Sequence, residues 1–446
     1  MNFPASAVEI VRTLRGRGYQ AYLAGGCVRD LLLGRTPADY DIATDATPDE
    51  VMRIFPRTWA VGAQFGVVLV PGAEESGHRS KPIEVATFRS DGLYSDGRHP
   101  DEVCYTRSPE EDVRRRDFTI NGLLLDPLEG NRIVDFVNGR QDLSDGLIRA
   151  IGDPRRRFAE DKLRLLRAVR FAARFGYAVE PETLAALREL APQIQVVSRE
   201  RVRDELTKML TEGRARRAFE LLDETGLLHE VLPELEKMKG VEQPPQFHPE
   251  GDVWTHTLLM IGQLPPSCSR TLAWGTLLHD GGKPATFREA PDRIRFDGHV
   301  EVGEAIGREI CARLRMSNDD TEQIVALIAN HMRFADVRRM RQSTLKRFLR
   351  LPRFDEHLAL HRLDCLGSHG QLDLYDFVSE RYRETPPEQI RPQPLMDGHD
   401  LIALGLPPGP AFSRILSAVE DAQLEGQIAS KQEAEELVRQ IVFHGL

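Results

Sequence analysis

The spacing of apolar residues changes about a third of the way along the chain, and this change restricts the fold more than any other feature. Up to about residue 147, short β-type runs alternate with turns rich in glycine, proline and aspartate. From Pro154 onward, apolar residues recur at helical spacing and few turn signals interrupt them. The sequence therefore predicts an α/β head followed by segments that are entirely α-helical.

Two proline-rich stretches divide the helical part of the chain. Glu242-Gln-Pro-Pro-Gln246 is typical of a linker, and a second break spans residues 385–394. We therefore expect four segments. These are a head over residues 1–147, a neck and body over 148–240, a histidine-rich domain over 247–385 and a helical C-terminal tail over 395–446.

The composition is that of an ordinary soluble protein, with 41% hydrophobic and 29% charged residues among 446. Residues 1–20 predict an amphipathic helix rather than a secretion signal, and no apolar run approaches the ~20 residues that span a bilayer. The five cysteines form no CxxC pair, which indicates reduced thiols and a cytoplasmic protein. The net charge of −10 argues weakly against nucleic acid as a partner, but arginines concentrated at 114–116 and 155–217 leave room for a basic surface.

The most informative part of the head joins a glycine turn to two aspartates. A β-type run ends at Gly25-Gly26 and a helix follows, so backbone N–H groups can approach phosphate oxygens there. Asp39-Tyr-Asp41 follows on a second β-type run, whose period-two geometry places the two carboxylates on one face, about 6–7 Å apart. Two such ligands suit Mg²⁺ bound together with substrate phosphates. Neither a Walker A motif nor GxGxxG is present, which disfavours a P-loop or Rossmann nucleotide site.

A second group of polar residues, Arg115-Arg-Asp-Phe-Thr-Ile-Asn121, lies near the end of the head. The guanidinium groups of Arg115 and Arg116 suit triphosphate oxygens, because each can donate two parallel hydrogen bonds. Asp117 and Asn121 carry the polar groups needed to contact a ribose hydroxyl. This segment therefore predicts a second part of a nucleotide site.

Together these segments resemble the first two motifs of the class II tRNA nucleotidyltransferases, the family of the CCA-adding enzymes, the A-adding enzymes and the bacterial poly(A) polymerases. The resemblance rests on residues 25–30, 39–41 and 115–121. It implies a polymerase-β-like sheet, metal ligation by the first motif, ribose discrimination by the second, and Arg29 and Asp30 beside the nucleotide. It also implies tRNA, ATP and CTP as partners.

Two further features bear on the product. Phe88 to Asp101 resembles the family's flexible loop, which the CC-adding members lack in intact form, so its presence favours an enzyme that adds the terminal A. The segment 420–436 is acidic, whereas the poly(A) polymerases of the family tend to carry basic C-terminal extensions. The acidic segment therefore favours tRNA as the substrate.

In the neck, the sequence from Phe158 to Phe171 predicts one helix with Asp161 and Arg164 on a single face. An aspartate acceptor beside a guanidinium donor matches the Watson–Crick edges of cytosine and adenine, whereas uracil and guanine would leave mispaired groups. The pair resembles the family's Glu-Asp-x-x-Arg motif, of which Glu160 is the first residue. An intrahelical salt bridge is the alternative interpretation.

Arginines continue along this helix at intervals of three and four residues, namely Arg164, Arg167, Arg170 and Arg174. No carboxylate follows Asp161 until Glu180, which favours phosphate binding over a solvated face with interleaved acids. We expect Arg167 and Arg170 beside the nucleotide, and Arg170 and Arg174 against RNA phosphates.

The histidine-rich domain carries the residues of a metal centre in apolar helical contexts: His256, His279, Asp280, His299, His331 and Asp364. The adjacent His279-Asp280 pair can supply two ligands to one ion, and packed helices can add His256 and Asp364. Such a mixed nitrogen and oxygen set suits Mn²⁺, Ni²⁺, Co²⁺ or Zn²⁺. The two remaining histidines are candidate ligands of a second ion.

This ordered set resembles the HD phosphohydrolase domain. The resemblance implies hydrolysis of phosphomonoesters or cyclic phosphates and, by analogy, the cleaning of damaged RNA 3′ ends. The turn Asp280-Gly-Gly-Lys283 departs from the family, which more often has an apolar residue inside it.

We therefore expect a CCA-type nucleotidyltransferase that adds C, C and A to tRNA from CTP and ATP, with Asp39 and Asp41 as catalytic metal ligands. The alternatives within the family are an A-adding enzyme and a poly(A) polymerase. A rival from another class is an HD phosphohydrolase whose head only binds RNA or nucleotide. We expect a monomer or homodimer that does not associate with membranes.

Overall fold

The computed structural model describes residues 3–59, 66–72, 74–75, 78–79, 81–90 and 104–443. The chain divides into two compact units, Met1–Pro233 and Glu234–Leu446. Most of the loop predicted from Phe88 to Asp101 lies outside the described residues. Within the described ranges, no helix is both long enough and apolar enough to cross a membrane.

The strands of the first unit are β1 (Ala21–Ala24), β2 (Asp41–Thr44), β3 (Val67–Val70), β4 (Glu74–Glu75), β5 (His78–Arg79), β6 (Ile83–Thr87), β7 (Arg89–Ser90), β8 (Cys104–Tyr105), β9 (Leu123–Asp126), β10 (Arg132–Asp135), β11 (Leu147–Ile148) and β12 (Ala178–Val179). Six of them form a sheet in the order β10-β9-β1-β2-β6-β3. Strands β2 and β6 are parallel and the other neighbours are antiparallel. Strands β1 and β9 are buried along their whole length, and apart from Asp126 at the end of β9 their residues are apolar. The mixed sheet confirms the predicted α/β head.

The helices of the first unit are α1 (Ala5–Gly16), α2 (Gly26–Leu32), α3 (Pro48–Ile54), α4 (Pro109–Arg114), α5 (Gly139–Asp145), α6 (Pro154–Glu160), α7 (Leu163–Phe175), α8 (Pro181–Leu190), α9 (Arg199–Thr211), α10 (Ala215–Glu224) and α11 (Leu227–Val231). Short 3₁₀ helices occupy Thr119–Asn121 and Ala191–Val196. Helix α1 is the amphipathic helix predicted at the N-terminus, and it buries Ile10, Val11 and Leu14.

The neck differs from the prediction in two ways. The single helix expected from Phe158 to Phe171 is wrong, because α6 ends at Glu160 and α7 begins at Leu163. Asp161 has an extended backbone (φ −141°, ψ 104°), and its Oδ1 accepts a hydrogen bond of 3.1 Å from Leu163 N. Aspartate readily makes such local bonds in competition with the helix. In addition, β11 and β12 form a short parallel pair, so the neck is not entirely helical.

The second unit is almost entirely helical. Its helices are α12 (Pro233–Glu236), α13 (Val253–Gly262), α14 (Arg270–Leu278), α15 (Lys283–Thr286), α16 (His299–Arg313), α17 (Asn318–Asn330), α18 (Gln342–Leu349), α19 (Phe354–Gly367), α20 (Asp373–Glu384), α21 (Pro387–Ile390), α22 (Gly398–Ala403), α23 (Ala411–Leu424) and α24 (Lys431–Phe443). A 3₁₀ helix spans His331–Arg339. A small antiparallel hairpin of β13 (Arg288–Glu289) and β14 (Ile294–Arg295) interrupts the predicted all-α pattern.

The stretch predicted as a linker, residues 242–246, is anchored in the second unit. Gln243 is buried, and its Oε1 accepts a hydrogen bond of 2.7 Å from Lys283 Nζ. A glutamine can be buried here because its amide finds partners. The C-terminal tail is also anchored, since Arg347 Nη2 of α18 lies 2.6 Å from Glu420 Oε2 of α23.

Candidate functional site

The turn between β1 and α2 requires glycine. Gly25 has a φ of +72°, which L side chains rarely adopt. A Cβ atom at this position would also lie 2.8 Å from Arg116 Nη1. Glycine therefore lets the guanidinium group of the second motif lie directly against the turn of the first.

Three carboxylates lie close together where β2 begins. Asp41 is the first residue of β2, and the parallel register pairs it with Glu84 of β6. Partners in register share one face of a sheet, so the two side chains are neighbours. Burial, and after it the charge of Glu84, raises the pKa of Asp41 to about 6, although Arg116 opposes the shift. Asp39 precedes the strand, where it is exposed and lies 3.0 Å from Lys81 Nζ.

The two predicted carboxylates thus have different environments. Only Asp41 belongs to the strand, so the prediction that period-two strand geometry places Asp39 beside it is wrong in detail. Glu84 was not predicted, although the alternation Ile83-Glu-Val-Ala-Thr87 places it opposite the buried face of β6. The ionised form of Asp41 is disfavoured by its surroundings, and two more carboxylates, those of Asp39 and Glu84, lie nearby. A hard divalent cation bound among these three groups would balance their charge.

The second motif forms a hydrogen-bonded network. Asn121 Nδ2 donates to Asp117 Oδ1 at 3.0 Å, and Arg167 donates to Asp117 Oδ2 at 2.6 and 2.9 Å. Arg29 donates both to Asn121 and to Asp30. Burial acts to raise the pKa of Asp117, but the charge of Arg167 and these hydrogen bonds hold that pKa well below its usual range. The carboxylate is therefore ionised and fixed in position.

The base-reading residues predicted in the neck do not contact each other. Among the described residues, Asp161 pairs instead with Arg201 of α9, whose Nη2 lies 3.0 Å from Oδ2. Arg164 donates to Glu160 Oε2 at 2.9 Å and to the backbone oxygen of Arg115 at 3.0 Å. The alternative of an intrahelical Asp161–Arg164 salt bridge is therefore wrong, and both groups are held by other partners.

The arginine stripe of α7 also has partners outside its own helix: Arg167 with Asp117, Arg170 with Glu205, and Arg174 with Glu212. The acids come from the head, from α9 and from the residue just after α9, where spacing along α7 cannot reveal them. Arg170 is 5% exposed and bound to Glu205, and its predicted contact with RNA phosphates stays a prediction. The side chain of Arg174 is 30% exposed, and its contact with RNA stays a prediction.

These elements surround one cavity of about 590 Å³ in the first unit. It is lined by every residue predicted for the nucleotide site: Gly25, Gly26, Arg29, Asp30, Asp39, Asp41, Arg116, Asp117, Asn121, Asp161, Arg164, Arg167 and Arg170. Among the described residues, seven arginines and five aspartates contribute to the lining. The cavity therefore offers cations for a polyphosphate and a separate group of acids for a metal.

In the second unit, the first predicted metal site is assembled from two helices, α13 and α19, and the turn after α14. His256 Nε2 lies 3.2 Å from Asp364 Oδ1 and 4.0 Å from Asp280 Oδ2. His279 Nε2 lies 3.2 Å from Asp280 Oδ2. The sequence-predicted ligands His256, His279 and Asp364 have ligand atoms within 4.8 Å of one another.

The second predicted set is adjacent to the first. His299 Nε2 lies 3.4 Å from His331 Nε2, which is 3.7 Å from Asp280 Oδ1. The Nδ1 atoms of His279, His299 and His331 each lie 2.7–2.9 Å from a backbone carbonyl oxygen. This arrangement fixes the rings with Nε2 toward the cluster, which is the usual orientation of a metal-binding histidine.

Several buried atoms of the cluster lack a hydrogen-bond partner of good geometry within the described part of the chain: His256 Nε2, His279 Nε2 and Asp280 Oδ1. Buried polar atoms are rarely left without partners in native proteins. Their convergence on one point therefore fits a bound divalent cation. Sequence reasoning missed two neighbours of the cluster, His248 and Glu250, which form a third group of ligand-type atoms with His256.

Comparisons with known proteins agree with this layout. The family model described as "Poly A polymerase head domain" matches residues 21–149. The model described as "Probable RNA and SrmB-binding site of polymerase A" matches residues 176–239, and the model "HD domain" matches residues 253–352. The three matches define a polymerase A-type head followed by RNA-binding and HD domains.

CCA-adding enzymes are similar to this chain over nearly its full length. The CCA-adding enzyme of Leuconostoc mesenteroides is 32% identical over 430 residues, which cover 96% of this chain and 94% of that protein. The structure of the Bacillus stearothermophilus CCA-adding enzyme in complex with CTP superposes with a TM-score of 0.75 at 28% identity, over 99% of this chain and 98% of that one. The chain belongs to the family of the CCA-adding enzymes.

Sequence identity is higher in shorter alignments with other CCA-adding enzymes. The CCA-adding enzyme of Geobacillus stearothermophilus is 46% identical over 221 residues, which cover 50% of this chain and 53% of that protein. The chain thus aligns with about half the length of this relative. The same holds for the enzyme of Geobacillus thermodenitrificans, which is also 46% identical over 221 residues.

Proposed function

We propose that this protein adds C, C and A in turn to the 3′ end of tRNA, from CTP and ATP, with release of pyrophosphate. The observation that carries the proposal is the cavity of the first unit, where arginines, carboxylates and a base-reading pair line one space. The CCA-adding enzymes among its relatives support the product, and the CTP complex of one of them supports the substrate.

In the proposed reaction, the 3′-hydroxyl oxygen of the tRNA forms a bond to the α-phosphorus while the bond to the β-phosphate breaks, and pyrophosphate leaves. Asp39, Asp41 and Glu84 would hold Mg²⁺, which when bound activates the hydroxyl and neutralises the leaving pyrophosphate. Arg116, placed against the glycine turn, binds triphosphate oxygens. Asp117 and its hydrogen-bonded neighbours orient the ribose.

Selection of the base rests on Asp161 and Arg164. The carboxylate accepts a hydrogen bond from the exocyclic amino group of cytosine or adenine, and the guanidinium donates to the adjacent ring nitrogen. Uracil and guanine present an oxygen to the carboxylate and an N–H to the guanidinium, so both contacts become repulsive. Arg164 suits this role because Glu160 and a backbone oxygen already fix its orientation.

Extension of three labelled tRNA transcripts, ending before CCA, after the first C and after CC, tests the proposal. Each is incubated with Mg²⁺ and ATP, CTP or both, and the Asp41→Ala variant is the control. Completion of all three to CCA followed by a stop supports the proposal. Addition of A only to the CC-ended tRNA would make the protein an A-adding enzyme, and unlimited A tails would make it a poly(A) polymerase. No incorporation at all would favour the rival in which the head only binds RNA or nucleotide.

For the second unit, we propose metal-dependent hydrolysis of phosphomonoesters or cyclic phosphates at damaged RNA 3′ ends. The histidine cluster adjoins a cavity of about 480 Å³ that is lined by Lys283, Arg293 and Arg295, cations suited to phosphate. The nitrogen and oxygen ligand set suits Mn²⁺, Ni²⁺ or another transition metal better than Mg²⁺. RNA ending in a 2′,3′-cyclic phosphate should be hydrolysed with Mn²⁺ or Ni²⁺ by the wild-type protein and not by Asp280→Ala. Equal rates for the two proteins would contradict the proposal.

We also propose a cytoplasmic location and a monomeric or homodimeric state. All five cysteines lie in the described ranges and are free, as reduced thiols are in that compartment. Analytical ultracentrifugation across a hundredfold range of concentration, chosen to bracket an about micromolar dissociation constant, separates the two states. A larger assembly would contradict both.

A further inference from the structure

Glu250 contacts the metal cluster through a histidine. It lies just before α13, and its Oε1 is 2.6 Å from His256 Nδ1 and 2.9 Å from His248 Nδ1. His256 is fully buried, and the side chain of Glu250 is 8% exposed. One carboxylate oxygen therefore lies between two imidazole rings in a site largely closed to water.

This arrangement distinguishes His256 from the other histidines of the cluster. Whereas His279, His299 and His331 direct Nδ1 at backbone carbonyls, His256 directs it at an ionisable carboxylate. A carboxylate acceptor fixes the tautomer with the proton on Nδ1, and it makes Nε2 a stronger donor to a metal. The Nε2 atom of His256 is buried and points toward Asp364, at 3.2 Å.

The short distance between Glu250 and His256 also argues against Glu250 as a direct ligand. Two atoms bound to one tetrahedral ion at about 2.1 Å lie about 3.4 Å apart. The 2.6 Å separation of Oε1 and Nδ1 is instead that of a strong, charge-assisted hydrogen bond. A proton, and not a metal ion, therefore lies between the two groups.

We propose that Glu250 is the positioning residue of the HD metal centre. By accepting the Nδ1–H of His256, it keeps Nε2 as the ligand atom and so sets the affinity of the centre for a divalent cation. His248 shares the same oxygen and packs its ring edge-on against His256, with centroids 4.9 Å apart, which holds the carboxylate in place. The inference rests on the metal centre proposed for the second unit and is independent of nucleotide addition by the first.

The test uses full-length protein stripped with a chelator and titrated with Co²⁺. The position and intensity of the visible absorption of Co²⁺ change with ligand type and coordination geometry, so a site with nitrogen ligands can be distinguished from the oxygen-only carboxylates of the first unit. Glu250→Ala should weaken Co²⁺ binding by about 10- to 100-fold and shift the absorption band. Glu250→Gln should recover most of the affinity, because its amide oxygen can still accept the Nδ1–H. Glu250→Asp should bind as weakly as Glu250→Ala, because the shorter side chain withdraws the oxygen.

Glu242→Ala is the matched control, because Glu242 is an exposed carboxylate in the same segment and its loss should leave Co²⁺ binding unchanged. Thermal melting and nucleotide addition by each variant check the fold. If Glu250→Ala does not fold, the Co²⁺ affinities of Glu250→Gln and Glu250→Asp decide the test. A Co²⁺ affinity of Glu250→Ala within about threefold of the wild-type value would overturn the inference, because removing an outer-shell partner lowers the metal affinity far more than this. Tight Co²⁺ binding by Glu250→Asp together with weak binding by Glu250→Gln would also overturn the inference, because the charge of residue 250, rather than its hydrogen-bond geometry, would then set the affinity. Wild-type protein that binds no Co²⁺ with nitrogen ligation would overturn the metal centre and the inference together, while leaving the proposed nucleotide addition intact.

Discussion

Arg201 Nη2 lies 3.0 Å from Asp161 Oδ2, and this ion pair joins residues 40 positions apart in the sequence. Asp161 lies at the break between α6 and α7, where its backbone is extended rather than helical. The carboxylate proposed to read the base is therefore held by a side chain of α9. In the proposed mechanism, helix α9 therefore contributes to base selection by positioning Asp161.

Substitution of Arg201 is expected to relax base selection more than it slows the reaction. In Arg201→Gln, Asp161 loses its cationic partner and can rotate, so UTP and GTP should be misincorporated about tenfold more often relative to CTP and ATP, which corresponds to about 1.4 kcal/mol. Competition assays with pairs of nucleoside triphosphates measure this ratio. Arg203→Gln, on the same helix and paired with Asp204, is the control. Equal loss of activity with all four nucleotides would show that Arg201 only stabilises the neck.

The acid limit of nucleotide addition should follow Asp41. Its pKa is raised to about 6, so the carboxylate is ionised above that pH and becomes protonated as the pH falls through it. At subsaturating Mg²⁺, the rate should fall about tenfold per pH unit below this value, because a protonated carboxyl is a poor metal ligand. Glu84→Gln removes a charge that raises this pKa, so the midpoint should move to lower pH even though the maximal rate decreases. Glu129→Gln alters an exposed carboxylate and should leave the midpoint unchanged.

The two glycines of the turn after Asp280 should respond differently to alanine. A Cβ at Gly282 would lie 2.0 Å from the backbone oxygen of His299 and 2.6 Å from Gly303 N, and backbone atoms cannot move aside cheaply. Gly282→Ala should therefore destabilise the second unit by about 1–3 kcal/mol or more. Gly281→Ala, whose nearest contact is 3.2 Å from Leu278 O, should cost much less. Urea unfolding of the two variants measures the difference, and equal stabilities would contradict the close approach at Gly282.

A buried histidine should make the second unit sensitive to acid. His357 is 1% exposed, and within the described chain neither of its ring nitrogens has a hydrogen-bond partner. Burial, with a smaller contribution from Arg333, lowers the pKa of His357 to about 4. The unfolded chain takes up a proton as the pH falls below about 6.5 and the folded chain does not, so stability present at neutral pH is lost on acidification. The free energy of unfolding falls by about 2 kcal/mol between pH 7 and pH 5 as a result.

Replacing the ring tests this source of acid sensitivity. His357→Phe should reduce the difference between the unfolding free energies at pH 7 and pH 5 by about the same 2 kcal/mol. Tryptophan fluorescence during urea unfolding is a suitable readout, since Trp254 and Trp274 are buried in the second unit. His399→Gln, at an exposed position, should leave the pH dependence as in the wild type. An unchanged difference in His357→Phe would contradict the prediction.

Sequence reasoning succeeded where a feature depends on residues that are close in the chain. Strands β1 and β3 lie where the apolar runs predicted them, because four consecutive apolar residues between turns leave few alternatives. The turn at Gly25-Gly26 was predicted for the same reason. The histidines and aspartates predicted as metal ligands do lie close together in the second unit, because each residue type carries its metal chemistry into any fold that brings the set together.

Sequence reasoning failed where the partner of a residue comes from a distant element. The spacing of Asp161 and Arg164 fits a helix, but the side chain of Asp161 bonds Leu163 N and the helix breaks there. Glu84 becomes a neighbour of Asp41 only through the parallel pairing of β2 and β6, which alternation along one strand does not specify. Glu250 was missed because it acts on His256 through a hydrogen bond that no spacing rule encodes.

Two arginines of α7 form ion pairs with acids of other elements, and these pairs restrict how the sequence of this protein can vary. Arg167 and Arg170 are each bound to an acid from a different element, Asp117 in the head and Glu205 in α9. Losing one partner would leave an uncompensated charge in a largely buried place, which is far more costly than losing both together. Substitutions at these positions should therefore be inherited as matched pairs, and the covariation of 167 with 117 and of 170 with 205 would record the geometry of the site across lineages.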